Sequence, residues 1–142
     1  MDQFDISELE RKKKFLKRYK KNQSLIDRLE ERLYLLDQRI IGLRGIGFSD
    51  MPKGSGSTVT TAELITDKME LEERINRLVQ KGRILKKEVI EKIDTLEEPL
   101  YAEVLESFFI DGKSFIEIAD EMGYNERHII RVYSRAVNSI EL

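Results

Sequence analysis

Few side chains here can make or break bonds. The chain has one histidine, His128, and no cysteine among its 142 residues. No cluster of carboxylates stands at metal-ligand spacing beside a second ligand type, so acid–base, thiolate and metal chemistry all lack a constellation. The sequence therefore predicts no enzyme, no metal site and no cofactor. What remains is cationic. Arg127, His128, Arg131 and Arg135 lie close together near the C-terminus, and guanidinium groups can hold phosphates or grip guanine through two parallel bonds. A second concentration, Arg11, Lys12, Lys13, Lys14, Lys17, Arg18, Lys20 and Lys21, has no acid between 11 and 21. Such a run could hold phosphates or an acidic partner surface. A solvated helix face, or a complement to acidic residues elsewhere in the chain, accounts for it equally well.

The C-terminal cations sit in a stretch, residues 95–140, that reads as three short helices. Thr95 with Glu98, and Ser114 with Glu117, have the spacing of a capping box, in which a hydroxyl and a carboxylate satisfy the free N–H groups of a helix start. Pro99 falls in a first turn, where its missing N–H costs little. Leu100, Val104, Leu105 and Phe108 form one apolar stripe, and Phe115, Ile118, Ala119 and Met122 a second. Gly123 marks a tight turn, and Asn125 is a good N-cap for the third helix. On that helix Ile129, Val132, Tyr133, Ala136 and Ile140 face inward. Glu126, Arg127, His128, Ile130, Arg131 and Arg135 lie outward or at the edge. A short helix, a glycine turn and a helix with outward arginines is the helix-turn-helix arrangement. A plain three-helix bundle with a charged face is the bland alternative.

Residues 95–140 also resemble region 4 of sigma-70-type factors. The resemblance lies in the run Ile118-Ala-Asp-Glu-Met-Gly-Tyr124 and in the closing Ser134-Arg-Ala-Val-Asn-Ser-Ile140. The whole layout is similar to the ArpU/RinA-type phage regulators of late-gene transcription, and Ser49-Asp-Met-Pro-Lys-Gly54 resembles a recurring feature of that family. These resemblances imply double-stranded DNA as partner and a bacterial host cytoplasm as setting. Carried over by position, the DNA-binding residues are Glu126, Arg127, His128, Ile130 and Arg131, following Asn125, with Arg135 near the backbone. Ile130 departs from the sigma-like pattern, where a polar or basic residue is usual. It could touch a thymine methyl, or this face could meet protein.

The totals fit one domain, or one domain with an extended element. Charged residues make up 37% and tryptophan is absent, a composition that favours long, solvated helices. The lack of cysteine removes any disulfide framework and suits a reducing, cytoplasmic setting. No apolar run approaches a signal-peptide core or a membrane span. The net charge of −2 is unevenly spread. Residues 1–95 carry 21 Lys/Arg against 17 Asp/Glu, a net of +4, and residues 96–142 carry 4 against 10, a net of −6. An acidic DNA reader needs a locally basic face, or phosphate affinity supplied from elsewhere.

Upstream, Met1–Ile6 is expected to fray, and Ser7 with Glu10 opens one helix running to about Ile41. Its apolar ladder is Phe15, Tyr19, Ile26, Leu29, Leu33, Leu36, Ile40 and Leu43, interrupted by Asn22. A second helix, from about Thr61 to Asp94 after the pair Thr60 and Glu63, carries Leu71, Ile75, Leu78, Leu85 and Val89, interrupted by Gly82. Both ladders step by four and three, the rhythm of a coiled-coil seam. They could close on each other as an antiparallel hairpin. Facing positions that sum to 104 set Asn22 opposite Gly82. Sums of 97 or 111 keep the rhythm too, and a parallel homodimer competes. Between the helices lies a glycine-rich loop at about 42–60, longer than a hairpin needs. Its Phe48 and Met51 could contact a partner, although a flexible linker is the simpler reading. Lys53-Gly-Ser-Gly-Ser57 lacks the order of a phosphate loop, and no strand precedes it.

The sequence thus predicts an all-α protein. Residues 1–94 form a long antiparallel helical hairpin, a coiled coil, and residues 95–142 form a three-helix helix-turn-helix module. The expected function is sequence-specific DNA binding that regulates transcription, with RNA polymerase or a second copy as further partners. A DNA-packaging component resembling a small terminase subunit, or a protein-binding adaptor, is the alternative.

Overall fold

The computed structural model describes residues 6–45 and 60–142, and among these every regular element is helical. The elements are α1 (Ile6–Leu16), α2 (Arg18–Gly45), α3 (Thr61–Ile93), α4 (Pro99–Phe109), α5 (Phe115–Met122) and α6 (Glu126–Ser139). The expectations for the first five residues, for Phe48 and Met51, and for Lys53-Gly-Ser-Gly-Ser57 lie outside the described residues.

Local sequence explains most of the boundaries. At the start of α3 the Thr60 hydroxyl accepts from the Glu63 N–H at 3.2 Å, and the Glu63 carboxylate accepts from the Thr60 N–H at 3.3 Å. At α5 the same box closes between Ser114 and Glu117, at 3.1 and 3.0 Å. The expected box at Thr95 and Glu98 does not form. The Thr95 hydroxyl instead donates backward to the Lys92 carbonyl at 2.6 Å, and Glu98 is the N-cap of α4 without a side-chain bond. Pro99 is the cause. Its fixed φ suits the first helical position, which puts the cap at residue 98 and leaves Thr95 one turn too early.

The single N-terminal helix expected from Ser7 is interrupted for one residue, at Lys17. Its hydrogen bonding hardly notices: the Lys17 N–H reaches the Lys13 carbonyl at 3.0 Å and the Lys21 N–H reaches the Lys17 carbonyl at 2.9 Å. At the far end α2 continues to Gly45, so Gly42 and Gly45 belong to helix and not to the loop expected from residue 42.

The chain divides into two compact units, Met1–Gln23 with Lys81–Leu142, and Ser24–Gln80. The boundary expected at 94/95 falls inside the first. In that unit α4, α5 and α1 all pack on α6. Phe109, Ile118, Ile129, Ala136 and Val137 are buried there together with Leu16 of α1 and Val89 and Ile93 of α3. Burying one such large side chain is worth about 1.5–3 kcal/mol, which is how an eight-residue helix as short as α5 persists. Aromatic rings fill one side of this core. Phe108 stacks on Phe115 with centroids 4.6 Å apart, and Tyr133 meets both edge-on at 5.1 and 5.0 Å. Asn22 and Gly82 do face each other, since a Cβ built on Gly82 would lie 2.8 Å from Asn22 Nδ2.

The second unit is a seam between α2 and α3. Ile26 and Leu29 are buried with Leu71 and Ile75, flanked by Leu25, Leu33, Leu36 and Leu78. Lys68 and Asp37 form an ion pair at 2.7 Å over it.

Candidate nucleic-acid interface

The geometry of α6 is set at its start. The N–H groups of Gly123 and Tyr124 both end on the Ala119 carbonyl, and Gly123 takes φ 77°, the left-handed conformation that costs glycine least. Two residues later Asn125 caps α6, its Oδ1 accepting the His128 N–H at 2.8 Å. That bond commits the oxygen and leaves the amide N–H groups of Asn125 for a ligand.

Beyond the cap the helix sorts its residues sharply. Ile129, Val132, Tyr133, Ala136 and Val137 are buried, while Glu126, Arg127, Ile130, Arg131 and Arg135 are exposed and His128 is half-buried. Val137 was not among the expected inward residues. It is buried in the same core as Leu16 of α1 and Phe109 of α4. The outer face gathers the residues the sequence singled out. Glu126, Arg127, Ile130 and Arg131 line one shallow depression, and Arg135 stands one turn further on. None of the three arginines has an ion-pair partner among the described residues. Charge here is +3 from arginine against −1 from Glu126. The acids that make residues 96–142 net negative are otherwise off this helix until Glu141, with Glu103 and Glu106 on α4 and Glu117, Asp120 and Glu121 on α5.

Sequence reading overlooked Tyr124. It is 44% exposed and its ring lies 4.7 Å from that of His128, at 48°. The signal was present in the sequence as an aromatic four residues before the histidine, astride the N-cap.

The N-terminal cations are not one population. Lys12 is buried and its ammonium donates to the Asn138 carbonyl, 2.8 Å away in the last turn of α6. That carbonyl is one of the four that a helix end leaves unpaired, and a cation there is favoured by the helix dipole. Lys92 of α3 donates to the Glu141 carbonyl, beyond the end of α6, at 3.0 Å. Lys20 lies 4.0 Å over the Phe108 ring, and burial there, followed by the charge of Lys17, lowers its pKa. Lys13 sits 6.0 Å over Tyr133 and pairs at 4.0 Å with Glu10. Arg18 covers Phe15 at 4.2 Å and pairs with Glu88 at 2.7 Å. Arg11 pairs with Glu8 at 2.6 Å. Lys14, Lys17 and Lys21 are exposed and have no ion pair among the described residues.

Among the described residues no group of three or more His, Asp or Glu could hold a metal ion, and no helix is long and apolar enough to cross a membrane. Comparison with family models, with curated proteins and with solved structures returns no match.

Proposed function

We propose that this chain is a sequence-specific DNA-binding regulator of transcription that inserts α6 into the major groove. The supporting observation is the outer face of α6. Three arginines without ion-pair partners among the described residues, and a half-buried histidine, project from a helix whose entry is fixed by Gly123 and the Asn125 cap. In such a helix-turn-helix the N-terminal residues of the second helix reach base edges while neighbouring cations hold phosphates. Arg127 and Arg131 are the candidates for guanine, Ile130 for a thymine methyl, and Arg135 for the backbone. The facing of Asn22 and Gly82 supports closure of α2 and α3 as an antiparallel hairpin, which would carry RNA polymerase contact or a second copy. The resemblance of residues 95–140 to sigma region 4, and of the layout to the phage late-gene regulators, extends the proposal to phage or prophage late genes.

The test is binding of the purified full chain to fragments of its own genome at several salt concentrations. Saturable binding to one or a few fragments, weakening as salt rises, is expected. No preferred fragment at any salt refutes the proposal and leaves the α6 face as a protein-binding surface. A ring of many subunits, with DNA threaded and not read, would favour the packaging alternative.

A further inference from the structure

Accepting that α6 reads DNA, we infer that Lys14, Lys17 and Lys21 form a second, separate contact that grips the phosphate backbone and supplies affinity without sequence information. The structure divides the eight-cation run. Lys12, Lys13, Arg18 and Lys20 are engaged with a carbonyl, a carboxylate or an aromatic ring of the same unit, and Arg11 with Glu8. Lys14, Lys17 and Lys21 are left over, each exposed and without an ion-pair partner among the described residues.

Their spacing is three and then four, which keeps side chains on one helix face. The interruption at Lys17 does not break that phase, because the bonds from Lys17 to Lys13 and from Lys21 to Lys17 both keep the helical reach of four residues. From Lys14 to Lys21 the helix rises about 10 Å. One DNA strand presents a charge every ~3.4 Å along its axis, so that span runs over about three steps of the strand, enough for each lysine to meet a phosphate of its own. The stripe is held to the reading helix within one unit: Lys12, two residues before Lys14, is bonded to the end of α6. An acidic protein surface has no such regular ladder of charges, which is why the backbone of a duplex is the better occupant. The stripe also accounts for how an acidic C-terminal stretch can hold DNA. Its phosphate affinity comes from the other end of the chain.

Each phosphate contact contributes about 0.9 to the steepness with which binding falls with salt. The experiment measures binding of the full chain to its preferred fragment and to a scrambled one across a potassium chloride series. Wild type is compared with Lys14→Gln/Lys17→Gln/Lys21→Gln, with the same three sites changed to Arg, and with Arg127→Gln/Arg131→Gln. The glutamine triple should lose about 2.7 from the slope on both DNAs while keeping its preference between them. The arginine triple should keep the slope, and the α6 double should lose the preference. Thermal melts check that all variants fold. An unchanged slope in the glutamine triple overturns the inference even where α6 reads the fragment. Retained preference in the α6 double overturns the reading by α6 and leaves the stripe standing. Wild type that binds neither DNA overturns both.

Discussion

Replacing Gly82 by alanine should destabilise the fold, although the same change inside a helix ordinarily helps. Alanine in a helix interior is favoured over glycine by about 0.5–1 kcal/mol. At Gly82 the added methyl would start 2.8 Å from Asn22 Nδ2 and 4.0 Å from Tyr19 Cε1. The first distance is well inside van der Waals contact, so the amide must move. Asn22 is only 7% exposed and has to turn within a packed seam, an overpacking that typically costs about 1–3 kcal/mol. The balance is a net loss of about 1 kcal/mol. Gly42, in α2, meets nothing within 4 Å of its built Cβ, so Gly42→Ala should gain up to about 0.5–1 kcal/mol. Urea titrations of the two variants beside wild type would separate these signs. Trimming the obstacle should rescue the first, with Asn22→Ala/Gly82→Ala more stable than the two single changes predict by addition. If Gly82→Ala stabilises as much as Gly42→Ala does, the facing of Asn22 and Gly82 is wrong.

Lys12→Met should lower stability by about 1–2 kcal/mol, because it removes a charged donor from an otherwise unpaired carbonyl at the end of α6. In the same variant the salt slope of DNA binding should stay put. Arg131→Ala should weaken binding to the preferred fragment by about 1–3 kcal/mol and relax one base position. An unchanged selection profile would remove Arg131 from base reading. Ile130 is 41% exposed beside Arg131, and replacing the site's thymines by uracil should cost wild type about 0.8 kcal/mol, close to fourfold, for the lost methyl. Ile130→Ala should no longer distinguish the two DNAs, and equal discrimination by both proteins would clear Ile130 of the role. Finally, Glu117 is held below its ordinary pKa, first by the Ser114 backbone N–H and next by the Ser114 hydroxyl. A depressed folded pKa gives stability that is present above the unfolded value and lost as pH falls through the folded one. Melting curves on the acid side should therefore fall less steeply for Glu117→Gln than for wild type, and parallel curves would contradict this.

Much of the helical content was legible because it rests on local rules. The cap at Asn125, the box at Ser114 and the turn at Gly123 need only their own neighbours, and each forms. The two faces of α6 followed from spacing alone. Thr95 shows where local reading stops: its partner was offered three residues ahead, yet Pro99 fixed the helix start and the hydroxyl found a carbonyl behind it. The fate of the basic run was out of reach for a different reason. Lys12 meets a carbonyl 126 residues away; its spacing from Leu16 and Tyr19 puts it on the apolar stripe, opposite Lys14, but gives no sign of the partner it finds there. The packing of α1 on α6 decides what that lysine meets. Val137, four residues after Tyr133, is buried at the edge of the same stripe.

Contact between the outer face of α6 and DNA can be read by amide NMR of the full chain titrated with its preferred fragment. The largest shifts should fall from Asn125 to Arg131 and around Arg135, with smaller ones at Lys14, Lys17 and Lys21. Shifts confined to the seam of Ile26, Leu29, Leu71 and Ile75, or to α4, with α6 unmoved, would contradict it.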